Sequence, residues 1–266
     1  MLKLIRIEDR FDPRIAGFLD IRERDLTGRQ GLFVAEGEVV LRTFASPACR
    51  CGAVSVLIAE NRVESLAEVM AAIPGEPPVH VAPQAVLDSI AGFHLHRGIL
   101  ALGRKPMPLS LEQALGSLAP DAILLAAAGV GNHDNLGGLY RNAAAFGAAA
   151  VILDDRCGDP FYRKAIRVSV GAVLRLPTVV APVDEMVAGL QAAGVEVLAL
   201  TPGARETVDR VDRKGRTAIL LGSEGPGLSA DIIARCRPVA IRMAGDFDSL
   251  NVATAGAVAL HQLTVG

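Results

Sequence analysis

Three short stretches concentrate the residues whose types and spacing could do chemistry. The first, GVGNHDNLGGLYRNAAAFG (129–147), follows the apolar run AILLAAA (122–128) and crowds Asn132, His133, Asp134, Asn135 and Arg141 into a few turns. Gly129 and Gly131 open it as a dinucleotide-binding turn would, but that fingerprint needs a third glycine where this chain has Asp134. A carboxylate there would repel a pyrophosphate. An acid does follow the next strand, at Asp154 or Asp155, so the mimicry is partial. The two glycines read better as a turn after a strand, which weakens a nicotinamide oxidoreductase.

The second stretch, LLGSEGPGLS (220–229), lacks the Lys-Ser/Thr pair of a phosphate loop, and Glu224 has the wrong charge for holding phosphate. Small residues with exposed backbone amides suit a flat, uncharged, polar ring such as adenine. The plainer reading is a tight turn stiffened by Pro226 and ended by Ser229 as a helix N-cap. The third, IRMAGDFDSLNVATAGAVALHQL (241–263), has Asp248 and Ser249 placed to cap a helix. Its small residues Ala253, Ala255, Gly256 and Ala257 permit close backbone approach. At its entrance Ser249 and Asn251 put a hydroxyl and an amide where unpaired N–H groups already favour an anion.

The surrounding chain must bring these stretches together. With 266 residues, 51% hydrophobic and 21% charged, it can bury two cores and is not disordered. A net charge of −2 excludes a blanket of positive charge but not a local basic patch. Residues 1–104 form a first block, with strands expected at 55–59, 79–82 and 98–102 and helices around 61–72 and 84–91. The stretch 21–44 reads as a charged helical segment followed by an apolar one. A connector and short helix occupy 105–120, where Ser110 and Gln113 form a capping box. The second block, 121–266, alternates strands (122–128, 149–153, 195–200, 217–222, 239–242) with helices (136–146, 160–168, 183–193, 229–235, 251–263). Fully apolar strands in β–α alternation argue for a mostly parallel sheet covered on both faces. The four cysteines are not at zinc-finger spacing, the N-terminus is not a signal peptide, and no apolar run reaches a membrane span. The expectation is a reduced, metal-free cytoplasmic protein that spans no membrane.

Taken in order, the three stretches resemble the motifs of the SpoU (TrmH) branch of the SPOUT superfamily, RNA ribose 2′-O-methyltransferases. NLGGLYRNAAAFG matches the first motif through Asn135, Gly137 or Gly138, Arg141, Ala143, Phe146 and Gly147. LLGSEGPGLS matches the second around Gly222, Glu224, Gly227 and Leu228. IRMAGDFDSLNVATAGA matches the third through Ile241, Met243, Ser249, Leu250 and Asn251. VSVGAVLRLP (168–177) is similar to the family's Ser-x-Gly-Ala segment. GLFVAEGEVVL and HRGILALGRKP resemble the start and exit of the small ribosomal-protein-like α/β/α RNA-binding domain that many members carry. The chain departs from the family at His133-Asp134, where a Pro-x pair is usual.

The resemblance implies an α/β fold with a trefoil-knotted C-terminal domain, a homodimer, S-adenosylmethionine as cofactor and RNA, ribosomal RNA foremost, as substrate. It places Leu200, Thr201, Gly222, Gly227, Ile241, Met243 and Leu250 in the cofactor pocket. It gives catalysis to Arg141, with Asn135 orienting it, Ser249 and Asn251 positioning phosphate or Arg141, and Glu224 ordering its loop, contacting Asn135 or aiding product release. Because a guanidinium stays protonated, Arg141 is expected to hold RNA phosphate and stabilise a developing alkoxide. A transfer-RNA methyltransferase and a catalytically silent RNA-binding protein are the competing functions. Taken alone, Arg141 would read as a solvated helix arginine, His94 and His96 as a polar loop, and His261 as a packed or C-terminal charge. Arg22, Arg24, Arg29, Arg42, Arg97, Arg104 and Lys105 could read phosphates, but Glu23, Asp25 and Glu36 interleave them as on an ordinary solvated face.

Overall fold

A computed structural model describes residues 3–19, 28, 30–91, 98–245 and 249–265. Arg22, Glu23, Arg24, Asp25, Arg29, His94, His96, Arg97 and Asp248 lie outside the described residues. Two compact units are present: Met1–Pro106 with Phe161–Arg175, and Met107–Pro160 with Leu176–Gly266.

The first unit holds a five-stranded sheet in the order β1-β4-β3-β5-β2, with β1 Leu4–Arg6, β2 Leu32–Glu36, β3 Gly52–Ala59, β4 Val79–Ala82 and β5 Ile99–Arg104. β1, β4 and β3 run parallel, whereas β5 is antiparallel to both β3 and β2. The helices Glu38–Phe44, Val63–Ala71 and Gln84–Ala91 complete it. Strand β2 falls inside the stretch read as helical. Its alternating burial, with Phe33 and Ala35 inward, is the two-residue period of an edge strand. The short strand β1 was not expected either.

The helix expected over 160–168 occupies Arg163–Val168 and belongs to the first unit. Its segment is tied down at several points. Phe161, 6% exposed, lies against Phe33 with ring centroids 5.2 Å apart. Lys105 Nζ sits 5.2 Å from the Phe161 ring, and the Arg50 N–H donates to the Leu174 carbonyl at 2.9 Å. Gly171 is left-handed (φ 78), and a Cβ there would lie 2.9 Å from Thr43 Oγ1. The chain therefore leaves the second unit after Pro160 to complete the core of the first.

The second unit is a six-stranded sheet in the order β11-β9-β10-β6-β7-β8, parallel at every pairing. Its strands are β6 Ile123–Ala127, β7 Ala150–Leu153, β8 Thr178–Val180, β9 Glu196–Leu200, β10 Thr217–Leu221 and β11 Arg237–Val239. The central strands β6, β7 and β10 are buried at every residue, as covered parallel strands must be. Strand β8 was missed, and β11 lies earlier than the expected 239–242. Ser110 and Gln113 form the reciprocal capping box at the helix Leu111–Gly116, and Ser229 caps Ala230–Ala234.

Helices His133–Ala145 and Val252–Val265 meet through glycines placed on both sides. A Cβ on Gly138 would lie 2.7 Å from Ala253 Cβ, and one on Gly256 would lie 2.8 Å from Leu139 Cδ2. Such contact needs the missing side chains, and Asn142 Nδ2 donates to the Ala253 carbonyl at 2.8 Å across it. His261 packs edge-on against Phe146, with centroids 5.7 Å apart.

A fragment of residues 1–106 should unfold without a cooperative thermal transition, because Phe33 and Thr43 lose their cover from Phe161 and Gly171. A sharp calorimetric transition for that fragment would contradict this packing account.

Candidate active site

The C-terminal ends of parallel strands are where open α/β sheets bind ligands. Here Leu200 ends β9, Leu221 ends β10, and Ile241 follows β11. Together with the entrance to the last helix they enclose a cleft of about 460 Å³. Leu200, Thr201, Gly222, Gly227, Ile241, Met243 and Leu250 all line it, as do Glu224, Ser249 and Asn251. Pro202, Leu221, Val252 and Ala255 line it too and were not anticipated. Each is a chain neighbour of an expected residue or, for Ala255, one helical turn along from Asn251.

The floor is the glycine-rich loop after β10, which folds back over its own beginning. Ser223 and Gly227 form an antiparallel bridge, and the Gly227 N–H donates to the Ser223 carbonyl at 3.2 Å. Gly225 (φ 92) and Gly227 (φ 67) supply the left-handed turns. A Cβ at Gly222 would lie 2.4 Å from the Gly227 carbonyl carbon and 2.5 Å from Leu228 N, so only glycine fits. The turn after β6 abuts this loop, since a Cβ on Gly129 would be 3.2 Å from Ser223 Cβ.

That neighbouring turn is fixed by Asp154 at the end of β7, whose Oδ1 accepts the Gly129 N–H at 2.8 Å. Burial works to raise the Asp154 pKa, but the Gly129 N–H, the Cys157 thiol and the Arg156 guanidinium outweigh it and hold the group below the usual carboxylate range. The acid that made the turn look like a cofactor fingerprint is thus a structural partner of that turn. Burial, reinforced by Asp154, pushes the Cys157 thiol up to about 12, so it stays protonated.

All three sequence stretches meet at the rim of the cleft in a ring of hydrogen bonds. Asn135, 6% exposed on the helix His133–Ala145, donates from Nδ2 to Glu224 Oε1 at 2.6 Å. Its Oδ1 accepts Asn251 Nδ2 at 2.8 Å, and the same nitrogen lies 3.4 Å from Glu224 Oε1. Asn251 also begins the last helix: its Oδ1 takes the N–H groups of Ala253 and Thr254 at 3.0 and 3.2 Å. The N-cap is therefore Asn251, where Asp248 and Ser249 were expected.

Arg141 differs from the other candidates. It is exposed, does not line the cleft, and its side chain makes no hydrogen bond or ion pair with another described residue. Within one chain Asn135 does not contact it: six residues along an α-helix are about 9 Å apart along the axis and about 120° apart around it. Both polar atoms of the Asn135 side chain are instead engaged by Glu224 and Asn251. Among the described residues no cluster of three or more His, Cys, Asp or Glu side chains could hold a metal ion. No helix among them is long and apolar enough to cross a membrane.

Replacing Asn135 with alanine should cost about 1–3 kcal/mol, because Asn251 loses an acceptor and Glu224 loses a donor within the ring. Chemical denaturation should show this as a lower midpoint with an unchanged slope. An unaltered midpoint would mean that the ring adds nothing to stability.

Comparison with known proteins supports the same view of this unit. A family model described as the SpoU rRNA Methylase family matches residues 122–261. A Mycobacterium tuberculosis (H37Rv) protein named as an uncharacterized tRNA/rRNA methyltransferase is 36% identical over 268 residues, which cover 95% of this chain and 89% of that protein. A Mycobacterium bovis protein of the same description is 35% identical over 267 residues, with the same two coverages. A crystal structure described as an RNA 2′-O ribose methyltransferase aligns with a TM-score of 0.80 at 29% identity, covering 97% of this chain and 98% of that one. An AdoMet-bound rRNA methyltransferase from Sinorhizobium meliloti has the same fold, with a TM-score of 0.80 at 23% identity over 98% and 97% of the two chains. The chain belongs to the SpoU rRNA methylase family and is an RNA methyltransferase.

Proposed function

We propose that the chain transfers a methyl group from S-adenosylmethionine to a ribose 2′-hydroxyl of RNA, with ribosomal RNA as the substrate class. The observation that carries this reading is the Asn135–Glu224–Asn251 ring at the mouth of the cleft, which joins all three motif stretches. The cleft fits the cofactor. Its volume lies within the range of small-molecule sites. Leu200, Ile241, Met243 and Leu250 offer apolar walls for the faces of a purine, and the Gly222–Leu228 loop offers bare backbone to its polar edge. When bound, S-adenosylmethionine supplies a methyl group activated by its sulfonium.

The protein's task is alignment and management of the hydroxyl proton. Asn135 and Asn251 fix Glu224 at the rim, so the carboxylate keeps one orientation while substrate enters. Arg141 cannot act as a base while protonated. It holds a phosphate beside the reacting ribose by paired hydrogen bonds and stabilises negative charge developing on the 2′-oxygen. Since Arg141 stands apart from the cleft of its own chain, a homodimer that brings it to the partner's cleft completes the site. We also read the C-terminal unit as trefoil-knotted, the first unit as a ribosomal-protein-like RNA-binding domain and the protein as cytoplasmic. The ribosomal preference rests on that first unit, which the family's minimal transfer-RNA enzymes lack.

Arg141→Ala should lower methyl transfer to ribosomal RNA by about a hundredfold or more, with S-adenosylmethionine affinity by calorimetry within about twofold of the parent. Undiminished turnover would remove Arg141 from the reaction.

A further inference from the structure

Two half-buried cysteines lie side by side in the first unit and take no part in the cleft. Cys49 and Cys51 follow the helix Glu38–Phe44 and precede strand β3, with the exposed Arg50 between them. Cys49 Sγ donates to the Cys51 carbonyl at 3.5 Å, and the two side chains are hydrogen-bonded to each other. No third His, Cys, Asp or Glu among the described residues joins them in a cluster that could hold a metal ion. Both keep part of their surface open to solvent, so a small reagent can reach them. Two touching free thiols of this kind are the reduced form of a disulfide pair.

The contact makes the two sulfurs unequal. The hydrogen bond from Cys51 holds the Cys49 thiol down to about 7, against the opposing effect of burial. The same bond, together with burial, pushes the Cys51 thiol far above the usual range. Near neutral pH Cys49 is therefore largely the nucleophilic thiolate, with Cys51 beside it as the thiol. The two cysteines of the second unit behave differently: burial raises both, Cys157 to about 12.

The pair also touches the segment that completes the first unit. The Arg50 N–H donates to the Leu174 carbonyl at 2.9 Å, and Cys51 Sγ lies 4.0 Å from the same oxygen. A bond between Cys49 and Cys51 closes a small ring that contains the Arg50 backbone. It removes the Cys51 S–H from the Leu174 carbonyl and forces new dihedral angles on the residue whose N–H holds that carbonyl.

We propose that Cys49 and Cys51 form a reversible oxidation site, which a hydroperoxide converts to a disulfide, and that this closure loosens the hold of Arg50 on Leu174. The Cys49 sulfur attacks a peroxide oxygen: an S–O bond forms, the O–O bond breaks, and the other oxygen leaves as alcohol or water with a proton. The Cys51 sulfur then attacks the Cys49 sulfenic acid: the S–S bond forms, the S–O bond breaks, and water leaves with the Cys51 proton. Two thiols thus give two electrons to one peroxide. A small dithiol reverses the step by exchange and is itself oxidised to a disulfide. The site is separate from the cleft and does not depend on the methyl-transfer reading.

Trypsin gives a direct readout, because it cuts after Arg42, Arg50 and Arg62 and so separates Cys49 from Cys51. Full-length protein treated with hydrogen peroxide at neutral pH, alkylated, denatured and digested should yield residues 43–50 and 51–62 joined as one species. That species should be lighter by two hydrogen atoms than the sum of the two peptides, and dithiothreitol should separate it. Free thiols should fall from four to two. In Cys51→Ser, Cys49 should stop at a sulfenic acid that dimedone captures, whereas Cys49→Ser should keep its remaining thiols. Hydrogen exchange across residues 163–175 should be faster in the oxidised protein and return to the starting rate on reduction. Peptides that stay separate after peroxide, or Cys49 passing to sulfinic acid without joining Cys51, would overturn the proposal. Exchange unchanged by oxidation would overturn the coupling to Leu174.

Discussion

The side-chain amide of Asn135 has one acceptor and one donor group, and both are engaged inside the second unit. Its oxygen accepts from Asn251 and its nitrogen donates to Glu224, so a buried polar group is satisfied only while three distant parts of the chain meet. Asn251 cannot drift to meet it, because its own oxygen caps the last helix. The helix in turn is set against His133–Ala145 by the Gly138–Ala253 and Gly256–Leu139 contacts, which leave no room for an extra methyl group. Side-chain hydrogen bonding and glycine packing therefore fix the same register.

This constraint divides the site by chemistry. Below the ring, strand ends and the turned-back glycine loop make a cleft that combines apolar side chains with accessible polar groups, suited to a neutral polar ring system. At the ring, one carboxylate is held by two neutral amides, and no cation among the described residues pairs with Glu224. The cationic group assigned to RNA, Arg141, stays apart on the same helix that carries Asn135. Keeping the arginine from the carboxylate leaves its donors available for phosphate. A direct Arg141–Glu224 pair would have neutralised the charge that the proposed reaction uses.

Much of the second unit was readable from apolar periodicity. The interiors of β6, β7, β9 and β10 are runs of Ala, Val, Ile and Leu with no competing pattern, and glycines or caps mark their ends. The residues lining the cleft were legible only through the resemblance, since Gly222 and Ile241 carry no chemical signature and gain meaning from proximity. Three-residue strands such as Thr178–Val180 escape period counting because they are shorter than one diagnostic repeat. β2 was hidden by the apolar helix directly after it, although Phe33 and Ala35 already showed the alternation. Helical geometry places Asn135 and Arg141 on different faces, so within one chain the two do not meet. The return of Phe161–Arg175 to the first unit had no local signal, because Phe161 finds its partner Phe33 across a long sequence separation.

The central claim is that these three stretches form one site for methylating a sugar oxygen. The chemistry of RNA offers a direct measurement, because alkaline cleavage requires a free 2′-hydroxyl. Ribosomal RNA incubated with the protein and S-adenosylmethionine labelled in its methyl group should, after complete alkaline hydrolysis, carry the label in resistant dinucleotides. Label recovered in mononucleotides would show methylation of a base and contradict the account.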